Sequence, residues 1–252
     1  PRPGRVMLRA LLGIGLGILV SSQAGAVTCA DQEHAGNSYT VCTVDPAQED
    51  LRLFRAAPDG VPYGNFATLN QALNVSGRHL GFATNGGMYH EDRAPVGHYI
   101  EDGREEMRVI ASEGPGNFGL LPNGVFCIGA GTARVYETRD YLDRKPACKH
   151  ATQSGPMLVI DGELHPDFNP DSTSRFIRNG VGTGAEGDRA VFVISNNSVT
   201  FWDFASFFRD ALGLDHALFL DGNVSRLHAP DINRSDLGFP MGPIIAVVKP
   251  GS

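Results

Sequence analysis

Asp221, Asn223 and Ser225 put a carboxylate, a carboxamide and a hydroxyl within one short stretch of the segment HALFLDGNVS, residues 216–225. The apolar run before them reads as a buried strand, so the polar trio is delivered at a rigid strand end beside a glycine that lets a ligand approach the backbone. Such a group can orient a hydroxylated substrate and set a negative charge against it. Taken alone, Asp-Gly after an apolar run is equally the signature of a turn.

Four other polar segments follow the same plan. Residues 85–92, NGGMYHED, put two adjacent glycines after the apolar HLGFAT, exposing backbone N–H groups beside Asn85, Tyr89, His90, Glu91 and Asp92. His90-Glu91 does not continue into a zinc-binding His-Glu-x-x-His, because residue 94 is alanine. Residues 114–119, GPGNFG, hold Asn117 in a loop already supplied with the glycine and proline that chain reversal needs, and Asn123-Gly124 beyond it reads as a hairpin turn. Residues 152–156, TQSGP, offer Ser154 as a nucleophile beside Gln153, without the flanking glycines of a hydrolase elbow. Ser154, His228 and Asp221 are compatible with a triad on spacing alone. Residues 172–182, STSRFIRNGVG, place Arg175 and Arg178 beside hydroxyls and a Gly-x-Gly turn, a composition suited to holding phosphate or carboxylate. The same arginines have Asp167 and Asp171 as alternative surface partners.

The elements that must position these groups are mostly strands. Alternating or β-rich runs fall at 39–44, 51–56, 79–84, 96–100, 124–128, 134–137, 157–160, 190–194, 217–220 and 244–248. Two helices are expected. One is capped by Thr68 over 69–75 and ended by Gly77; the other is capped by Thr200 over 201–212, with Asp203 completing a capping box and Gly213 at its stop. On the second, Phe201, Phe204, Phe208 and Leu212 share a face that Trp202 and Phe207 widen, which reads as core. Strand 190–194, that helix and strand 217–220 make a βαβ-like crossover carrying Asp221 to a sheet edge. The expected class is α+β (mixed α/β): a single domain with a mixed, mostly antiparallel sheet, few helices and at least one such crossover.

Composition narrows the function. The chain has 21 Lys and Arg against 28 Asp and Glu, a net charge of −7. Arg2, Arg5 and Arg9 precede the apolar run Leu11 to Val20 and the small residues Ala24-Gly25-Ala26. Residues 1–26 therefore read as a secretory signal peptide, with Met7 a more typical start than Pro1 and an apolar part too short for a stable membrane span. Cys29 follows closely, but Val27-Thr28 is not the small pair that a lipid-attached cysteine requires. Removal of this peptide takes away three arginines and no acids, moving the charge from −7 to −10, so nucleic acid is not an expected partner. Residues 27–252 are expected as one secreted or periplasmic domain without a membrane span. In an exported chain, Cys29 with Cys42 and Cys127 with Cys148 are expected as disulfides, since neither pair has zinc-knuckle spacing.

Taken in order, NGGMY (85–89), GNFGLLPNGVF (116–126), QSGPMLVIDGELHP (153–166), RNGVG (178–182) and FLDGNVS (219–225) resemble the phosphodiester glycosidase family. These are bacterial relatives of the lysosomal uncovering enzyme, which removes N-acetylglucosamine from a sugar phosphodiester. The resemblance runs from about His79 to Val248. It implies an exported hydrolase that cleaves a sugar from a glycosyl phosphodiester in envelope or extracellular glycans, with a carbohydrate or glycosyl-phosphate substrate. Asn85, Gly87 and Tyr89 fall on the family's Asn-x-Gly-aromatic loop, Ser154-Gly155 on its Ser-Gly strand opening, Arg178 to Gly182 on its arginine-glycine element and Asp221 to Ser225 on its Asp-Gly-Gly-Gly-Ser turn. The implied catalytic residues are Asp221, Arg178 and Ser154. The implied substrate-binding residues are Asn85, Gly87, Tyr89, Asn117, Gln153, Arg175, Gly182, Asn223 and Ser225. Asn223 and Val224 replace glycines of that turn and Arg226 follows it, a departure that bears on which sugar is accepted.

A phosphate leaving group is a weak base and departs without much protonation, so an anion clamp can replace the general acid of ordinary glycoside hydrolysis. On this reading Arg178 and N–H groups near Gly180 to Gly182 hold the phosphate. Asp221 stabilises the oxocarbenium ion or activates water, and Asn85, Asn117 and Asn223 bind sugar hydroxyls. A divalent cation bridging Asp221 and phosphate fits the same chemistry, although the sequence shows no compact cluster of oxygen ligands for one. Two readings of other kinds compete: a glycan-binding envelope module without turnover, and a serine-type esterase on cell-surface polymers built on Ser154.

Overall fold

The computed structural model describes residues 27–221 and 224–251. The expected signal peptide, and Gly222 with Asn223, lie outside the described residues. The strands in chain order are β1 (Thr28–His34), β2 (Asn37–Val44), β3 (Asp50–Phe54), β4 (Arg78–Asn85), β5 (Tyr99–Glu101), β6 (Arg104–Met107), β7 (Gly124–Ile128), β8 (Ala133–Glu137) and β9 (His150–Ser154). They continue as β10 (Met157–Ile160), β11 (Glu163–Leu164), β12 (Asn179–Thr183), β13 (Ala190–Ser195), β14 (His216–Asp221), β15 (Leu227–Ala229), β16 (Arg234–Ser235) and β17 (Ile244–Pro250). Three short α-helices accompany them: α1 (Phe66–Asn74), α2 (Thr138–Arg144) and α3 (Phe201–Ser206).

These strands form three sheets, ordered β1-β2-β13-β12-β14-β10-β11, β16-β15-β4-β17-β3 and β6-β5-β9-β7-β8. One face of each sheet meets a shared core in which Phe192, Val181 and Leu218 of the first sheet pack with Phe82, Ile245 and Val247 of the second and Tyr99, Phe126 and Val135 of the third. The opposite face of each sheet is also covered. Phe204 of α3, with Phe207 and Phe208 of the π-helical turn that follows it, lies on Val191, Val193 and Phe219; Phe66, Leu69 and Leu73 of α1 lie on Leu80, Ile244 and Ala246; Tyr141 of α2 lies on Val125 and Cys127. Burial on both faces explains why β13, β14 and β17 read as continuous apolar runs rather than alternating ones. Each of the fully buried Phe204, Phe207 and Phe208 contributes roughly 1.5–3 kcal/mol relative to exposure.

The expected architecture is present: few helices, antiparallel ladders and a crossover. Strands β13 and β14 both pair antiparallel with β12, so they run parallel to each other with β12 between them, joined through α3. Thr200 and Asp203 form the expected capping box, and Gly213, at φ +60°, ends the helical segment after a single π-helical turn over Phe207–Ala211. Both disulfides form as expected, Cys29–Cys42 across the β1–β2 ladder and Cys127–Cys148 beside α2.

Several local expectations are corrected. Helix α1 is capped by Asn65, whose Oδ1 accepts from Thr68 N at 2.8 Å, so it starts before the expected Thr68 cap. Of the run 96–100 only Tyr99 and Ile100 enter a strand, and β1 and α2 were not anticipated. The segment expected as a Gly-x-Gly anion turn is β12, fully buried at the centre of the first sheet. Its glycines serve packing: a Cβ at Gly182 would stand 2.7 Å from Leu214 Cδ1 and 2.8 Å from Phe208 Cδ1. Paired on both sides, the backbone of β12 spends its N–H groups in the sheet, so those near Gly180 to Gly182 are not a phosphate cradle. The region expected as the Gln153-Ser154 loop is likewise a strand, β9.

Candidate active site

The antiparallel register of β12 and β14 pairs Asn179 with Asp221. The start of one strand and the end of the other therefore coincide, and Arg178 and Asp221 line the same cavity of about 670 Å³. Tyr89, Met88 and His90 come from the loop after β4, Asn117 and Phe118 from the loop before β7, and Ser174, Phe176 and Phe201 complete the wall beside Arg178. Asp221 is 7% exposed and Arg178 only 2%.

Arg178 is held from every side. Its N–H donates to Ser195 Oγ at 2.9 Å and its carbonyl accepts from Ser195 N at 2.9 Å, anchoring the backbone to the end of β13. The guanidinium lies 3.6 Å from the centre of the Phe201 ring, with Phe176 and Phe219 at 5.4 and 5.6 Å, while Nε donates to Val199 O and NH2 to Ser174 O. Both acceptors are carbonyls rather than carboxylates. Burial pulls the guanidinium down to about 10, which leaves it charged at neutral pH. A rigid, desolvated cation on an aromatic face is prepared for an anion, because a planar guanidinium stacks and donates at its edge together.

Tyr89 closes the opposite wall. Its hydroxyl donates to Pro240 O at 3.1 Å, and Arg93 stands over its ring at 5.3 Å. Burial first, and the Asp221 charge second, raise its pKa above the usual phenol range, against Arg93 and Arg226, so the phenol stays neutral. The Asp221 field thus reaches a wall of the same cavity.

Beneath the cavity lies a polar network. The Asn179 amide donates to Asn85 Oδ1 at 2.9 Å and to Thr84 Oγ1 at 3.1 Å, and accepts from Asn85 Nδ2 at 3.1 Å and from the Ser225 hydroxyl at 3.3 Å. Asn85 Oδ1 also accepts from Arg226 N at 2.9 Å. These bonds tie β4, β12 and the chain following Asp221 to one another.

Of the residues singled out from sequence, Asp221, Arg178, Tyr89 and Asn117 meet in the cavity. Others stand behind it. Ser154 is fully buried and its hydroxyl donates to Leu220 O at 2.6 Å, bracing the strand that ends in Asp221. Gln153 accepts from His98 N and Ile110 N and donates to Ile110 O. Gly87 donates to Thr152 Oγ1 at 3.1 Å and is packed so closely that a Cβ there would stand 2.4 Å from Gln153 O. Gly182 is interior to β12, and Ser225 caps Ile177 O at 3.2 Å. Arg175 pairs with Asp203 at 3.1 Å, neither with Asp167 nor with Asp171. The spacing-compatible triad is not assembled: Ser154 is behind β14, while His228 lies in a different cavity with its Nδ1 on Ser235 Oγ.

Sequence reasoning missed Asn179, Ser174, Phe176 and Phe201 as parts of the site. Phe201 was assigned to the core stripe, which it joins while also flooring Arg178; an aromatic at the first helical position after a cap carried no signal of that second contact. Among the described residues no group of three or more His, Cys, Asp and Glu is placed to hold a metal ion. Among the described residues Asp221 is the one carboxylate lining the cavity. No helix among the described residues is long and apolar enough to cross a membrane.

A family model described as phosphodiester glycosidase matches residues 79–236. The chain is 34% identical over 186 residues to the uncharacterized protein YigE of Escherichia coli (strain K12), covering 74% of this chain and 72% of that protein. Among solved structures it is similar to the catalytic domain of zebrafish N-acetylglucosamine-1-phosphodiester alpha-N-acetylglucosaminidase, auto-inhibited by its pro-peptide, at 16% identity and a TM-score of 0.60, over 90% of this chain and 84% of that one. A hypothetical protein from Synechocystis is similar at 14% identity and a TM-score of 0.61, over 88% and 61%. At these identities the two structures speak for the fold.

Proposed function

The chain belongs to the phosphodiester glycosidase family, and from that membership we propose that its Arg178–Asp221 cavity cleaves a sugar from a glycosyl phosphodiester. The observation that carries this reading is the meeting of a buried cation and a buried carboxylate in one cavity, brought together by the β12–β14 register.

The scissile bond joins the anomeric carbon to a phosphate oxygen. As it breaks, its electron pair moves onto the phosphate, which Arg178 stabilises with guanidinium edges left over from the Val199 and Ser174 carbonyls. Positive charge develops on the sugar ring, and Asp221 faces it. Water then adds to the anomeric carbon and Asp221 accepts its proton. Asn117, Ser174 and His90 stand on the rim where sugar hydroxyls would lie. Ser154 and Asn85 act as positioning residues through Leu220 and Asn179. Two disulfides support a site of action outside the cytoplasm.

The test uses Arg178→Ala and Asp221→Asn on a sugar-1-phosphate diester. Each is expected to lower turnover by about 10²–10³-fold or more, as loss of a preorganised electrostatic group does. Near-normal turnover in both variants, with the fold intact by circular dichroism, would remove the mechanism.

A further inference from the structure

A second cavity, of about 500 Å³, lies under the start of α1 and is lined by Asn65, Phe66, Ala67, Asn70, Arg226, His228 and parts of the segment 235–241, residues 235–238 and Met241. Its polar lining consists mainly of donors. Arg226 is 7% exposed, and its guanidinium packs against the backbone of Gly238, where a Cβ would stand 2.3 Å from NH2. The guanidinium makes no hydrogen bond or ion pair with the described residues; the bonds of Arg226 are those of its backbone, to Asn85 and Thr84. Asn70 spends its Oδ1 on Leu80 N at 2.8 Å, leaving its NH2 as a donor. The first-turn N–H groups of Phe66 and Ala67 have no carbonyl one turn back to meet, and α1 carries no acidic residue in its first turn to offset its positive end.

The one carboxylate in the lining is already committed. Asp236 accepts from Leu227 N at 2.9 Å and takes Arg234 on both oxygens at 3.1 Å. His228 donates to or accepts from Ser235 Oγ at 3.0 Å, and burial lowers its pKa, so it brings little charge at neutral pH. A buried guanidinium with no ion pair among the described residues, an uncompensated helix start and a carboxamide NH2 thus converge on one concave space. Their common ligand is an oxyanion. Tyr89 links the two cavities: it lines the first, its hydroxyl donates to Pro240 O in the 235–241 segment that borders the second, and both Asp221 and Arg226 act electrostatically on that hydroxyl.

We propose that this second cavity is a phosphate site, occupied by the next phosphate of a substrate that carries more than one phosphodiester. The substrate half of this statement rests on the reading of the first cavity given above; the phosphate-binding half does not. The substrate class is a glycosyl-phosphate polymer or oligomer, clamped by Arg178 at the scissile phosphate and by Arg226 at its neighbour.

The experiment has two arms. Inorganic phosphate is titrated calorimetrically into the full chain carrying Arg178→Gln, which disables the first cavity, and into that variant combined with Arg226→Gln or Ala67→Asp. Ala67 is exposed at the helix start, where an added carboxylate favours the helix while repelling an anion, so this second variant keeps the test meaningful if Arg226→Gln fails to fold. Phosphate binding is expected to persist in Arg178→Gln and to weaken roughly tenfold or more in both combinations, the scale of losing a charged hydrogen bond. No binding to Arg178→Gln, or equal binding in the combinations, overturns the site. In the second arm, KM is compared for synthetic substrates with one and with two phosphodiesters. Ala67→Asp is expected to raise KM about tenfold more for the longer substrate; an unchanged KM ratio, with phosphate binding lost, overturns the polymer assignment in favour of free phosphate. If the unaltered protein hydrolyses neither substrate, the function proposed for the first cavity fails, and the titration still decides the second.

Discussion

Removing the Asn179 side chain tests whether the network under the cavity holds the site together. In Asn179→Ala, Thr84 keeps its bond to Arg226 O, Ser225 keeps Ile177 O, and Asn85 Oδ1 keeps Arg226 N. The group left without a partner is Asn85 Nδ2, which donates to Asn179 Oδ1 and whose residue is 1% exposed. An orphaned buried donor costs about 1–3 kcal/mol, and the lost bonds and small void add about 1 kcal/mol more, so roughly 3 kcal/mol is expected. For a domain of this size that lowers Tm by roughly 6–12 °C. Asn85→Ala leaves Asn179 with Thr84 Oγ1 and the Ser225 hydroxyl, but strips Arg226 N of its acceptor. The double variant should therefore be less destabilised than the sum of the singles, by about 2 kcal/mol, because the amide pair is lost only once. Urea denaturation of the four proteins of this cycle measures the free energies and their coupling, and a thermal melt of each gives Tm. A Tm change under about 2 °C for Asn179→Ala, or strict additivity, would refute the claim that these amides are coupled.

Two further outcomes follow from the same geometry. Ser154→Ala should cost about 1–2 kcal/mol through loss of the bond to Leu220 O yet retain at least a tenth of the turnover; covalent labelling of Ser154 by a serine-reactive phosphonate would contradict its bracing role. Burial lowers His150 from 6.5 to about 4, its Nδ1 accepting from Asp102 N, so at mildly acid pH the unfolded chain binds a proton that the folded one refuses. Stability should fall as pH drops from about 6.5 to 4 by roughly 3 kcal/mol from this group, and be flatter in His150→Gln, as urea midpoints across that range will report; equal slopes would exclude it.

Much of the scaffold was legible because apolar β-rich runs bounded by glycine and proline have few other uses. The runs at 124–128 and 157–160 are strands with those bounds, and the Thr200 cap and Gly213 stop bracket the helical segment as read. What escaped did so for identifiable reasons. Strand β12, NGVGT, is glycine or polar at every position but one, so local preference argued for a turn; pairing with β13 and β14 on both sides makes it a strand, and its glycines leave room for Phe204, Phe208 and Leu214. Strand β1, TCADQEH, is mostly exposed and takes its shape from pairing with β2.

For the site, the sequence by itself determined the inventory and the family: a carboxylate at a strand end, two arginines, amide-rich loops and ordered motifs of the phosphodiester glycosidase family. Which of those groups face the cavity was decided by the tertiary structure alone. Arg178 and Arg175 are alike in sequence, but the β12–β14 register puts one in the cavity and α3 hands the other to Asp203. Ser154 and Asn85, plausible in a loop, became supports once their strands were buried. The physical reason is that a side chain's type is written locally, whereas its burial, partners and direction depend on strand pairing and packing between residues far apart in the chain.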